Sequence, residues 1–177
     1  MLDFIGNYEK AGKAPLLLAG GEKAAEKKAY NYSGIGREFI SVIETTDMQK
    51  VYKMPILYSF YNNGEIRLAV TEKEVLESWI EFFNTGTNWK DFSSGTSCEE
   101  YKKMTDKQHL RKAKTMPIKF LKASGKGFFI DKEGFAIALR DDLKDCIENE
   151  AFQFHMKDIL EYRTMEYYRR RYEEKVR

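Results

Sequence analysis

Four residues with ligand or nucleophile chemistry stand out first: Cys98, His109, Cys146 and His155. Together they form a formal zinc set, but their spacing matches no zinc finger or knuckle. The expected reading is two buried thiols and two ordinary histidines, with no metal and no other cofactor. A phosphate loop is the next candidate. Gly6 and Gly12-Lys13 approach that pattern, yet the glycines are six apart, and Ala14 stands where a Ser or Thr must hold magnesium. Gly125-Lys126-Gly127 lacks an upstream glycine. The chain is therefore not expected to hydrolyse ATP by itself. Acid-x-Lys pairs of the nuclease type occur at Glu26/Lys28, Glu100/Lys102, Asp142/Lys144 and Glu173/Lys175, no more than so charged a chain produces by chance. Asp131 and Glu133 with Asp142 are the acids a metal-dependent nuclease would use. No Gly-x-Ser-x-Gly is present, and neither cysteine has a recognisable nucleophile context.

The cations are more specific. Residues 102–126 hold nine Lys/Arg and one acid, Asp106, while 131–150 hold seven acids and three bases. The net charge of +2 hides this segregation. Lys103, Lys107, Arg111 and Lys114 recur at spacings of four, four and three, which puts four cations on one helix face. Lys119 and Lys122 do the same on the next helix. Such a face repels itself unless anions meet it, and phosphates of DNA or RNA are the obvious anions. The alternative is a solvated face neutralised internally by the acids of 131–150. Tyr167-Tyr168-Arg169-Arg170-Arg171-Tyr172 is a second mixture of aromatics and cations. It suits base stacking, or a helix end whose tyrosines pack inward while Arg169, Arg170 and Arg171 face water.

The elements that must position these residues follow from pattern. In residues 1–50, Leu2–Ile5 is expected as a strand, Glu22–Tyr30 as a helix, and Glu38–Ile43 as a strand or short helix. Pro55 suits the first turn of a helix reaching about Tyr61, and Asn62-Asn63-Gly64 signals a turn. Glu65–Val70 alternates like a strand. Thr71 with Glu74 is a capping box opening a helix whose buried face is Val75, Leu76, Trp79, Ile80 and Phe83. After a linker at Ser93–Ser97, a short helix covers about Cys98–Met104. Thr105 with Gln108 caps a helix to about Lys114, and Thr115-Met116-Pro117 opens another that ends near Ser124-Gly125. Phe128–Asp131 and Phe135–Leu139 form a hairpin around Lys132-Glu133-Gly134. Asp141-Asp142 mark a helix start, and a long helix follows from about Ala151 to Glu174. Its apolar stripe is Phe152, His155, Ile159, Tyr162 and Met165. Met54-Pro55-Ile56 recurs as Met116-Pro117-Ile118, though two copies do not make a repeat.

These elements define a predominantly helical α+β protein. Two helices followed by a hairpin match the order of a winged helix-turn-helix, an order other α+β folds share. The chain divides into 1–50, too few elements to close a core alone, and an accessory domain of 51–177. With 42% hydrophobic and 33% charged residues and a mean hydropathy of −0.60, it has the make-up of a globular protein. No apolar run reaches the roughly 18 residues of a membrane span. Two cysteines are too few for a disulfide framework, so a reducing cytoplasm is expected.

Leu2-Asp3-Phe4-Ile5-Gly6-Asn7-Tyr8 resembles the segment after the last conserved motif in the second motor domain of bacterial superfamily 2 DEAD/DEAH-type helicases of restriction or defence systems. Met54-Pro55-Ile56-Leu57-Tyr58, Trp79–Phe83, Asp158-Ile159-Leu160-Glu161-Tyr162-Arg163 and Tyr167–Tyr172 look like the C-terminal region of the same proteins. The resemblance implies the tail of such a helicase, with the ATP- and magnesium-binding motifs lying upstream of Met1. It transfers no catalytic residue. The expected function is binding of the phosphate backbone, with a helicase motor as partner. A protein-interaction module of such a complex is the alternative, and a metal-dependent nuclease the third.

Overall fold

A computed structural model describes residues 32, 34–62, 64–92 and 96–176. The expected strand at Leu2–Ile5 and helix at Glu22–Tyr30 lie outside the described residues. The body opens with α1 (Gly34–Thr45), which buries Phe39, Ile40, Val42 and Ile43. Those four side chains share one apolar core with residues from every later segment up to Tyr167. Residues 34–50 therefore pack as part of the same body as 51–171. The ambiguity at Glu38–Ile43 resolves to helix.

Helix α2 (Lys53–Phe60) is buried almost all round and has Pro55 in its first turn, where a missing N–H costs nothing. The alternating stretch 65–70 does not form one strand. Strand β2 (Glu65–Ile66) pairs with β1 (Tyr61–Asn62), and β3 (Ala69–Val70) joins a different sheet. Alternation places side chains on two faces but does not say which partner each end will find. The Thr71/Glu74 capping box forms in full and starts α3 (Glu72–Asn84), which buries Val75, Trp79 and Phe83. Leu76 and Ile80 flank that stripe, half-buried.

A short 3-10 turn (Asn88–Asp91) leads to α4 (Cys98–Lys102), opened by a capping box of Ser97 with Glu100. Thr105 and Gln108 form the next box and open α5 (Asp106–Ala113). Helix α5 does not stop before Thr115. It continues through a π-turn (Lys114–Ile118) into α6 (Lys119–Ser124). Pro117 explains the widening: it has no N–H to donate and cannot sit against the carbonyl four residues back. Residues 106–124 are thus one bent helix rather than two.

Gly125 ends it. A Cβ there would lie 2.3 Å from the Phe129 ring and 2.5 Å from the Leu121 carbonyl oxygen, so only glycine lets the chain turn into the hairpin. Strands β4 (Phe129–Ile130) and β5 (Ile137–Leu139) pair with Phe129 opposite Leu139, around Gly134 at φ 80°. Strand β3 lies on the other side of β5, with Val70 opposite Ile137, which gives the order β3-β5-β4. The sequence of α2, β3, α3, the bent helix and then the hairpin, with the first strand beside the hairpin's return strand, is a winged-helix-like arrangement. A 3-10 turn (Asp141–Leu143) and the short helix α7 (Lys144–Ile147) precede the 27-residue α8 (Glu150–Val176). The buried stripe of α8 is Phe152, Met156, Ile159, Leu160 and Tyr167. His155, Tyr162 and Met165 lie beside that stripe, half-buried. Among the described residues no helix is long and apolar enough to cross a membrane.

Candidate nucleic-acid interface

The inner face of the bent helix is fixed by an aromatic cluster. Trp79 and Phe83 on α3 lie 6.0 Å and 5.2 Å between centroids from Phe92, and Tyr52 lies 5.6 Å from Trp79. Onto this cluster α5 lowers His109, whose ring is 5.3 Å from Phe92 and 5.4 Å from Tyr101, together with the fully buried Ala113. Lys112 turns inward too. Its Nζ sits 4.6 Å from the Phe92 centroid and 5.3 Å from that of Tyr52, a cation–π contact on a half-buried amine. Burial, then the nearby charge of Lys50, holds the Lys112 ammonium below the usual lysine range. Burial likewise lowers His109. The inward-facing Lys112 was absent from the sequence-based site. The i,i+4 pair His109 and Ala113 marks the buried stripe that carries it.

The opposite face is left to Lys103, Lys107 and Arg111. All three are exposed, and none forms an ion pair with a described residue. Lys103 caps α4 rather than lying on α5, one turn before it. Lys114 reaches back to Glu72 on α3, and Lys122 crosses to Asp131 on the hairpin. Lys119 is exposed and has no such pair. Of the seven acids of 131–150, two are engaged with their own neighbours, Asp141 with Lys132 at 3.7 Å and Asp142 with Arg140 at 2.8 Å. Only Asp131 crosses to the basic helix.

Along the π-turn and α6 the helix and hairpin flank an open cleft of about 760 Å³. Its walls include Lys114, Ile118, Lys119 and Lys122 on one side and Asp131 and Phe135 on the other.

The C-terminal arginines divide. Arg169 and Arg170 are exposed on α8. Arg171 is committed elsewhere: its guanidinium holds the buried Asp91 at 3.1 Å. The Tyr167 hydroxyl donates to the same carboxylate at 2.6 Å, and Lys50 lies 3.7 Å away. Burial and then Asp91 itself push the Tyr167 phenol well above its usual range. The tyrosines pack inward, Tyr167 buried and Tyr168 half-buried. Arg171 thus anchors α8 to the body and leaves the candidate surface. Asp91 was not foreseen. Its partners are 40, 76 and 80 residues away in the chain, so no local pattern marks it.

The four ligand-type residues do not assemble. His109 packs in the aromatic cluster and Cys146 is buried beside Gly36 and Tyr32. His155 hydrogen-bonds Tyr32 through Nδ1, and burial pushes it down to about 4. Among the described residues no group of three His, Cys, Asp or Glu is placed to hold a metal. Of the three acids considered for nuclease chemistry, Asp131 is bound by Lys122 and Asp142 by Arg140. Comparison with protein-family models, with curated proteins and with solved structures finds no match to this chain.

Proposed function

We propose that the chain binds nucleic acid through the outer face of the bent helix, holding the phosphate backbone without catalysis of its own. The observation that carries this is the row Lys103, Lys107 and Arg111: three exposed cations with no anionic partner among the described residues, held outward by the docking of His109, Lys112 and Ala113. Of the acids of 131–150, Asp131 alone pairs with a cation of the bent helix among the described residues, and it meets Lys122 rather than the outer row. The winged-helix-like order supports the same face, because the bent helix occupies the position from which such folds present a helix to a groove. Lysine and arginine at phosphates position a protein but do not read sequence, so binding is tolerant of base composition.

The test is salt-dependent binding of the full chain to a DNA duplex. Lys107→Glu with Arg111→Glu removes two phosphate contacts and lowers the log–log salt slope by about two units. Affinity untouched by this double reversal would sink the proposal. In the wider assembly the chain serves as an accessory unit to a superfamily 2 motor that carries its own ATP-binding motifs. A motor encoded in an adjacent reading frame and stimulated by this chain on DNA is the expected finding. Docking to another protein is the competing function, and exposed Met116, Phe120 and Phe135 favour it. A partner that co-purifies without nucleic acid would support it.

A further inference from the structure

Four large apolar side chains stand exposed among the described residues: Met116, Phe120, Phe135 and Phe154. Of these, Phe135 lines the cleft where the bent helix faces the hairpin, and Met116 and Phe120 lie on the bent helix outside that lining. Phe135, 41% exposed, forms the hairpin wall of the cleft, and Phe120, 51% exposed, directly follows Lys119 on α6. Met116 is one turn before Phe120 on the same helix face. Three of the other residues lining the cleft are cationic. Lys114, Lys119 and Lys122 line it against a single acid, Asp131, whose charge Lys122 already meets. The ion pairs of Lys114 and Lys122 are at the surface, where such pairs are worth little and exchange readily for another anion.

A benzyl ring offers no donor to a base edge. What it offers is a flat apolar face, and the matching face of a base is hidden inside a duplex stack. Only unpaired bases present it. An aromatic ring set across a cleft from lysines is therefore complementary to a single strand, whose phosphates and base faces are both accessible.

Resting on the nucleic-acid reading above, we infer that the cleft between α6 and the β4–β5 hairpin is a single-strand subsite. A base stacks on Phe135, and Lys119, flanked by Lys114 and Lys122, meets the phosphates. The outer row Lys103, Lys107 and Arg111 then serves single and double strands alike, while the cleft adds affinity for the single strand only.

The experiment measures fluorescence anisotropy of the full chain with an oligothymidylate of about 12 nucleotides, within the site sizes typical of such grooves, and with its blunt oligoadenylate duplex. Phe135→Ala is expected to weaken oligothymidylate binding about tenfold or more and to leave duplex binding unchanged. Phe135→Trp keeps single-strand affinity, and its new indole fluorescence is quenched when oligothymidylate is added. Phe135 is exposed, so neither change threatens folding. Single-strand binding that survives Phe135→Ala unchanged overturns the subsite. If Lys107→Glu with Arg111→Glu still removes duplex binding in that case, the wider function stands without it. A chain that binds neither oligonucleotide overturns both, and a protein complex lost on Phe135→Ala would then give the cleft to a protein partner.

Discussion

Two cationic regions of this molecule look alike on paper and end in different surroundings. Lys103, Lys107 and Arg111 lie over a helix whose other face is buried, and no described acid meets them. Arg171 lies in an arginine run of similar density and closes on Asp91, an acid that is 5% exposed. Charge density does not separate the two. What separates them is whether a buried carboxylate lies within reach, and that depends on the tertiary fold. The first region is available for an external anion, and the second holds the body together. The same contrast recurs within the basic helix, where Lys112 covers aromatic rings while its neighbour Arg111 faces water.

The largest effect expected from this contrast is on stability. Lys50→Ala with Arg171→Ala leaves the Asp91 carboxylate buried with no cation, and removing the partners of a buried charge costs about 3 kcal/mol. Urea unfolding should show the loss, while affinity for oligonucleotide, measured where the variant remains folded, should not move. Affinity that falls with stability intact would return Arg171 to the binding surface. The outer row should behave in the reverse way. Lys107→Glu with Arg111→Glu should change unfolding by no more than about 0.5 kcal/mol while weakening nucleic-acid binding.

Acid offers a second separation, through two histidines of the body. Burial lowers both His155 and His109, the former to about 4. Their folded forms therefore bind protons less readily than their unfolded forms. Stability present above the unfolded value of 6.5 is lost as pH falls through 6.5 toward the folded values, with a slope of at most about 1.4 kcal/mol per pH unit for each group. Partial exposure makes the true slope smaller. Four carboxylates bear on the lower end, Glu100 and Asp142 among them, held low first by the Ser97 backbone N–H and by the Arg140 side chain. Glu74, held low first by the Thr71 backbone N–H, adds a loss below 4.5, whereas Glu44, raised by burial, opposes it. The histidine effect is therefore cleanest between pH 5.5 and 6.5. His155→Gln should flatten the unfolding-free-energy curve there, and an unchanged curve would remove His155 from the account.

What the sequence disclosed follows the range of the interaction. The Thr71/Glu74 and Thr105/Gln108 boxes are three-residue contacts, and both formed as read. The equivalent Ser97/Glu100 box carried the same signature and went unremarked because Ser93–Ser97 looked like linker. The hairpin was legible because Gly134 and the flanking apolar runs are local. The π-turn was not, since proline at Pro117 is compatible both with a new helix and with a widened turn in an old one. Of the basic site, spacing revealed which residues share a face. It did not reveal that Glu72, 42 residues away, would engage Lys114, or that Asp91 would capture Arg171.

The cap at Thr105 tests how firmly the outer row is presented. Its hydroxyl accepts from the Gln108 backbone N–H at the start of α5. Thr105→Ala should cost about 1 kcal/mol and, by loosening the first turn, should disturb Lys107 more than Arg111. A salt slope reduced by less than one unit would fit that graded loosening.

Lys122 bears most directly on the division between paired and unpaired cations. Its ion pair with Asp131 is at the surface, with Asp131 89% exposed, so Lys122→Ala should alter unfolding by less than about 1 kcal/mol. Affinity is the more informative measurement. If the pair is merely a surface contact that yields to phosphate, Lys122→Ala weakens oligonucleotide binding while Asp131→Asn strengthens it, since the lysine is freed and an acid leaves the cleft. If instead Asp131 permanently occupies Lys122, Lys122→Ala leaves affinity unmoved, and the candidate surface contracts to Lys103, Lys107, Arg111 and Lys119. Weakened binding on Lys122→Ala places Lys122 with the outer row, and silence of that variant places it with Arg171.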